Sequence, residues 1–182
     1  MNRVHGTVGV QQIECINRNR NRWAMRMDVQ PDTEIHMEDE EPNPDAVTYY
    51  EKWIEKEPDI DDIKKFAIEC VEDYDNSSNV NEFTVEGHKD WKDYTKRMSL
   101  ARDCEIARKK GLSTVIYWTN DGTSIEMPID VAVSRLDDLE EYAWQTFNVT
   151  SMHKNEINGM DNNESILGYD IREGYPEKLI FN

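Results

Sequence analysis

Glycine, cysteine and positive charge are all scarce in this chain, and each shortage removes a class of function. Only eight glycines occur in 182 residues, and none is spaced as GxGxxG or GxxxxGK, so no backbone cradle for nucleotide phosphates is encoded. The three cysteines, Cys15, Cys70 and Cys104, are odd in number and widely separated, which argues against a disulfide framework or a thiolate metal site and for free thiols. Lys and Arg total 21 against 38 acidic residues, a net charge of −17. That balance excludes the usual nucleic-acid binder, whose affinity comes from neutralising phosphates. No apolar run approaches the roughly 18 residues of a transmembrane helix, so no membrane span is expected. The first ten residues have no apolar stretch resembling a signal peptide, and the chain is expected to fold where it is made.

Catalytic signatures are equally thin. There is no GxSxG elbow, and no cysteine has an activating histidine beside it in sequence. His5, His36, His88 and His153 lie far apart without HxxxH or HExxH spacing, so each reads as a structural or solvated residue. Asp73, Asp75 and Ser77 begin like a calcium loop, but Ser78 stands at its obligatory glycine and Thr84 at its bidentate glutamate. Paired acids such as Asp137-Asp138 and Glu140-Glu141 read as a solvated helix face. No catalytic, metal-binding or cofactor-binding residue is assigned, and a non-enzymatic protein is expected.

The charge that is present is uneven. Residues 1–37 carry five Arg against four acids, a net of +1; residues 38–75 carry 15 acids against four Lys, a net of −11; the remaining 19 acids and 12 bases leave −7. So acidic a middle segment favours a basic protein surface as its partner. The Arg18/Arg20/Arg22 ladder is the one concentrated basic feature; it reads as a strand face that pairs with the chain's own acidic segment or with an acidic partner, a phosphate-binding role being the lesser alternative.

Patterning predicts an α+β fold in three segments. Residues 1–45 form short antiparallel strands with an acidic linker. Trp23, Met25, Met27 and Val29 alternate on one face, with a hairpin turn inside the Asn17–Arg22 run, a turn over Gln30–Thr33 and a short strand through Ile35 and Met37. The linker, 38–45, holds two prolines and five acids. Residues 46–79 read as a helical acidic segment: Asp45 caps a helix over Ala46–Lys56, with Val47, Tyr50 and Ile54 on one face, and Asp59 caps a second over Asp61–Asp73. Residues 80–182 read as a small antiparallel sheet packed by several helices. A strand over Val80–Val85 precedes a helix from Trp91 to Lys110; Thr114–Trp118 and Ser124–Met127 flank an Asp121-Gly122 hairpin turn. A helix then runs to Asn148, with Thr150 capping a further one and a short helix after Asn162. The closing segment, with Tyr175, Pro176 and Phe181, is unusually apolar and is expected to dock on its own core or on a neighbour.

The elements from Val80 onward carry a resemblance. Val80–Gly87, Trp91, Thr95–Leu100, Thr114–Trp118, Ile125–Ala132, Leu136–Ala143, Asn148-Val149-Thr150 with His153, Glu164-Ser165-Ile166, Tyr169-Asp170 and Gly174–Leu179 resemble, in order and spacing, an uncharacterised domain family of tailed bacteriophages of gut Bacteroidales, often encoded beside tail-fibre genes. The likeness covers a little over half the chain, and Trp23–Gln30 is similar to an opening strand in such proteins. The resemblance implies a virion protein of the tail, tail fibre or tail hub, made and assembled in the bacterial host cytoplasm. Its partners would be other phage structural proteins, in an oligomer or multi-subunit assembly. The alternative it leaves open is a cytoplasmic assembly factor or chaperone for a tail fibre, not retained in the particle. The family supplies no catalytic residues to transfer. The expected partner-binding residues are therefore Arg18, Arg20, Arg22, Trp23, Tyr175, Pro176 and Phe181.

Overall fold

The structure, a computed structural model, describes residues 3–32 and 43–182. The expected strand through Ile35 and Met37 and most of the acidic linker lie outside the described residues. In chain order the elements are β1 (Arg3–Thr7), β2 (Ile13–Asn17), a 3-10 turn (Arg18–Arg20), β3 (Arg22–Pro31), β4 (Ala46–Ile54), α1 (Ile60–Asp75) and α2 (Ser78–Asn81). Then follow β5 (Glu82–Val85), β6 (His88–Trp91), α3 (Tyr94–Lys109), β7 (Thr114–Trp118), β8 (Ser124–Pro128), α4 (Ile129–Gly159), α5 (Asn163–Leu167) and β9 (Ile180–Phe181). This is an α+β fold, as the patterning indicates. Its contacts form two compact units, residues 1–73 with 151–173 and residues 74–150 with 174–182, a division that differs from the three segments expected.

The first unit holds a four-stranded antiparallel sheet ordered β1-β4-β3-β2. The β2–β3 hairpin turns where the Asn/Arg run predicts, with the Asn17 side chain accepting from the Arg20 N–H at 3.1 Å and Asn21 taking a left-handed φ of 47°. Arg18 and Arg20 of the Arg ladder therefore sit in a turn and not on a strand face, while Arg22 opens β3. Central β3 is buried from Ala24 to Asp28. At Asp28 a φ of 54° marks a bulge that shifts the register between Met27 and Gln30, so Val29 leaves the face it would share with Met27 and is exposed.

The expected helix over Ala46–Lys56 is a strand. Val47-Thr48-Tyr49-Tyr50 is β-branched and aromatic, both its faces are half-buried or buried, and β1 and β3 pair with it on either side. Asp45 is accordingly no helix cap; its N–H donates to the Asn43 side chain at 3.0 Å in a turn that leads into β4. Nor does the chain turn at Gln30, because β3 continues through Pro31 opposite Val47.

Buried ion pairs fasten this sheet. Arg26 donates to Glu51 and Glu14, both at 2.7 Å, and the nearly buried Asp28 carboxylate accepts from Arg3 at 2.5 Å and from Arg172 at 2.9 Å. Helix α1 is capped as expected: Asp59 accepts from the N–H groups of Asp61 and Asp62 at 3.1 and 3.0 Å. Ile63, Phe66, Ala67, Cys70 and Val71 form its buried stripe.

The second unit holds the β6-β5-β9 sheet, the β7-β8 hairpin and α3. Its core gathers Phe83, Val85, Leu100, Cys104, Val115 and Met127, among others. Trp91 ends β6 and does not open a helix; Asp93 caps α3 instead, accepting from the Lys96 N–H at 3.0 Å. The expected break at Asn148–Thr150 is absent, since α4 runs unbroken through it and the buried Thr150 hydroxyl bonds to the Tyr175 hydroxyl at 2.9 Å. The apolar C-terminal segment docks on its own unit. Phe181 pairs parallel with Val85 in β9 and meets Phe83 edge-to-face at 6.0 Å.

Candidate protein-binding surface

The residues expected to bind partners fall into two sets, one in each unit. Arg18 and Arg20 project from the β2–β3 turn into solvent. Arg22 pairs with Glu55 at 3.6 Å and lies over the Trp53 ring at 5.8 Å, and the Trp23 indole N–H donates to Asn21 at 3.0 Å. This hairpin end gathers four of the seven. Tyr175 and Phe181 make their contacts within the second unit: Tyr175 meets Tyr74 edge-to-face at 5.4 Å and Thr150 as above, and Arg135 covers Phe181 at 5.6 Å. Pro176, between them in sequence, is half-buried.

A surface that the partner assignment missed lies on β7. Hydrogen bonds from Ile129 N–H to the Ser113 carbonyl (3.1 Å) and from Thr119 N–H to the Thr123 carbonyl (3.0 Å) bracket the β7–β8 ladder. With this register, Val115 and Tyr117 exchange their backbone bonds with β8, while Thr114, Ile116 and Trp118 turn their N–H and C=O groups to the opposite edge. Among the described residues no strand pairs with that edge. Side-chain alternation divides the strand a second way. Val115 is buried and Tyr117 packs on the core, whereas Ile116 is 56% and Trp118 61% exposed.

Beside the edge runs a groove of about 180 Å³ between α3 and β7, lined by Lys96, Ser99, Leu100, Asp103, Ile116 and Trp118 together with Tyr117. Its wall is fixed by Asp90, whose side chain is 0% exposed. The carboxylate accepts from Lys96 Nζ at 2.8 and 3.0 Å, from the Tyr117 hydroxyl at 2.7 Å and from the Trp91 N–H at 2.7 Å. Burial first, and then Asp90, push the Tyr117 hydroxyl far above the ordinary tyrosine value, so it stays a protonated donor. Lys96 also donates to the Asn120 side chain at 2.5 Å and approaches the Trp118 carbonyl at 3.4 Å. Because Asp90 neutralises Lys96, the charge left facing the groove is Asp103, which has no ion-pair partner among the described residues.

The hairpin turn beyond the groove is equally held. Hydrogen bonds from Thr119, then His88 and Thr123, keep Asp121 well below the usual carboxylate range, and Gly122 supplies the turn's φ of +85°.

The other polar groups have structural work. His153 bonds to the Tyr169 hydroxyl at 2.6 Å and the Glu173 carbonyl at 3.0 Å. Lys92 donates to Thr146 at 2.6 Å, and burial lowers its pKa. Among the described residues no three metal-ligating side chains converge, and no helix there is long and apolar enough to cross a membrane.

The β7 surface had a signal in the sequence. Thr114–Trp118 lacks the polar alternation that a half-exposed strand shows, while its partner β8 alternates Ser124 and Glu126 outward with Ile125 and Met127 inward. Comparison of the chain with known families, curated proteins and solved structures finds no match.

Proposed function

We propose that this chain is a non-enzymatic structural protein of a tailed-phage particle, working in the tail, tail fibre or tail hub through protein–protein contacts. The observation that carries the binding role is the apolar outer face of β7, Ile116 and Trp118, beside a strand edge with no partner among the described residues. Exposed aromatic anchors next to unpaired backbone groups are what protein partners use, and a strand edge left open in solution is a pairing hazard. What supports the particle as the setting is the sequence resemblance from Val80 onward. On this reading the protein is made in the bacterial host cytoplasm and ends in the virion, in an oligomer or larger assembly with other phage structural proteins. Mass spectrometry of purified particles tests it. The protein is expected in fixed copy number through successive density gradients, and its absence from gradient-pure particles would sink the reading.

Charge favours a second reading, an assembly factor that shields a basic fibre protein and then leaves. The net −11 of residues 38–75 suits that task. Pull-downs from infected cells separate the two: an assembly factor is bound to its client before assembly and free afterwards.

A further inference from the structure

The β7 edge and its flanking groove have the geometry by which an extended peptide joins a sheet as an added strand. From this we infer that the groove between α3 and β7 takes an extended, apolar segment of another protein that carries a lysine or arginine opposite Asp103. This rests on the protein-binding reading above but not on the phage particle.

Three features define the occupant. The first is backbone. Thr114 and Ile116 offer N–H and C=O groups to the open edge and Trp118 offers its N–H, so the ligand must be extended and must supply a matching ladder. An added strand would extend the two-stranded β7-β8 hairpin to three strands.

The second is shape. One wall of the groove is the α3 face at Lys96, Ser99, Leu100 and Asp103. Alternate ligand side chains would point toward Leu100 or lie along Ile116 and Trp118, so apolar residues are required on both faces.

The third is charge. Lys96 is neutralised by Asp90 at 2.8 Å and held by Asn120, which leaves Asp103 to select a cation; exposed Trp118 offers a second cation contact through its ring. A second copy of this chain fits poorly, since it would bring another −17 and another Asp103 to the same groove.

The probe for the test is a capped seven-residue synthetic peptide of valines with one central lysine to meet Asp103. Beside it goes the same peptide N-methylated at the alternate amides that face β7, which has identical charge and cannot form the ladder. Titration calorimetry with the full chain at 150 mM salt is expected to show binding by the first peptide and a loss of about tenfold or more for the second. Hydrogen exchange in the complex is expected to slow at the amides of Ile116 and Trp118. Ile116→Pro removes an edge N–H from the side that faces away from β8, where an edge strand tolerates proline, and is expected to lose binding to the same extent at an unchanged melting temperature.

Equal affinity for the two peptides, which need no variant to compare, would reduce the interaction to surface charge and overturn the proposal. A wild-type dimer in sedimentation that Ile116→Pro dissolves would show a second copy in the groove and overturn it equally. Absence of the protein from particles would remove the phage setting and leave the peptide result standing.

Discussion

Replacing Asp90 with alanine is the most informative single change to the second unit. Its carboxylate is inaccessible to solvent and accepts four bonds, two from Lys96, one from the Tyr117 hydroxyl and one from the Trp91 N–H. Breaking a buried pair by deleting one partner costs about 3–5 kcal/mol. Lys96 is about one-third exposed and can turn its ammonium to water, which places the cost near the lower end, about 3 kcal/mol. For a chain of this size each kcal/mol moves the melting temperature by about 2–4 °C, so a fall of roughly 6–12 °C is expected. Tyr117→Phe removes one hydrogen bond of the four and leaves the ion pair, for a loss of about 1 kcal/mol. Thermal melts followed by far-ultraviolet circular dichroism, with urea titrations at 25 °C, measure both. Because Lys96 and Tyr117 also line the β7 groove, Asp90→Ala is expected to weaken peptide binding along with stability. An Asp90→Ala protein that melts within 2 °C of wild type would refute the reasoning.

Gly6→Ala is expected to destabilise the first unit by roughly 1–2 kcal/mol, because the new methyl would lie 2.8 Å from the Tyr49 ring; a urea midpoint moved by this substitution checks it. The half-buried Tyr175 hydroxyl is pushed up to about 12 from an ordinary 10.0, desolvation being the main cause. Its contribution is fully present below pH 10 and is lost as pH rises toward about 12, so Tyr175→Phe is expected to flatten the alkaline fall in unfolding free energy over that window. Cys70 is fully buried and burial raises its thiol well above the ordinary value; mass spectrometry after maleimide treatment at pH 8 is expected to find it unmodified in the folded chain while the half-buried Cys15 reacts. Arg18→Ala with Arg20→Ala, both at an exposed turn, is expected to leave the melting temperature unchanged within about 0.5 kcal/mol of stability.

Elements whose local signals agree with their surroundings were legible. The α1 stripe from Ile63 to Val71, the Asp59 cap, the Asp121-Gly122 turn and the docking of Phe181 all follow from period, cap chemistry and apolarity. Misreadings arose where a tertiary partner decides. Val47, Tyr50 and Ile54 fit a helical face and a strand alike, and only β1 and β3 on either side make β4 a strand. Thr150 resembles a cap until Tyr175, 25 residues away, satisfies its hydroxyl inside a continuous helix. At Asp28 a bulge reverses the alternation, and Arg3 and Arg172 from distant positions compensate the buried carboxylate.

The candidate site divides in the same way. The Arg18/Arg20 cluster stands out by composition and is solvent-exposed at a turn. Ile116 and Trp118 stand out only once the ladder shows which edge of β7 is open, because a strand rich in β-branched and aromatic residues reads as core until one face is seen uncovered.

The proposed docking role in a phage particle is reached most directly by placing a photo-cross-linking phenylalanine analogue at position 118 during infection and irradiating the purified particles. The expected result is a covalent adduct between position 118 and a second particle protein, with no adduct from the same analogue at position 20. Particles that contain the protein but yield adducts at position 20 and none at position 118 would contradict β7 as the docking surface.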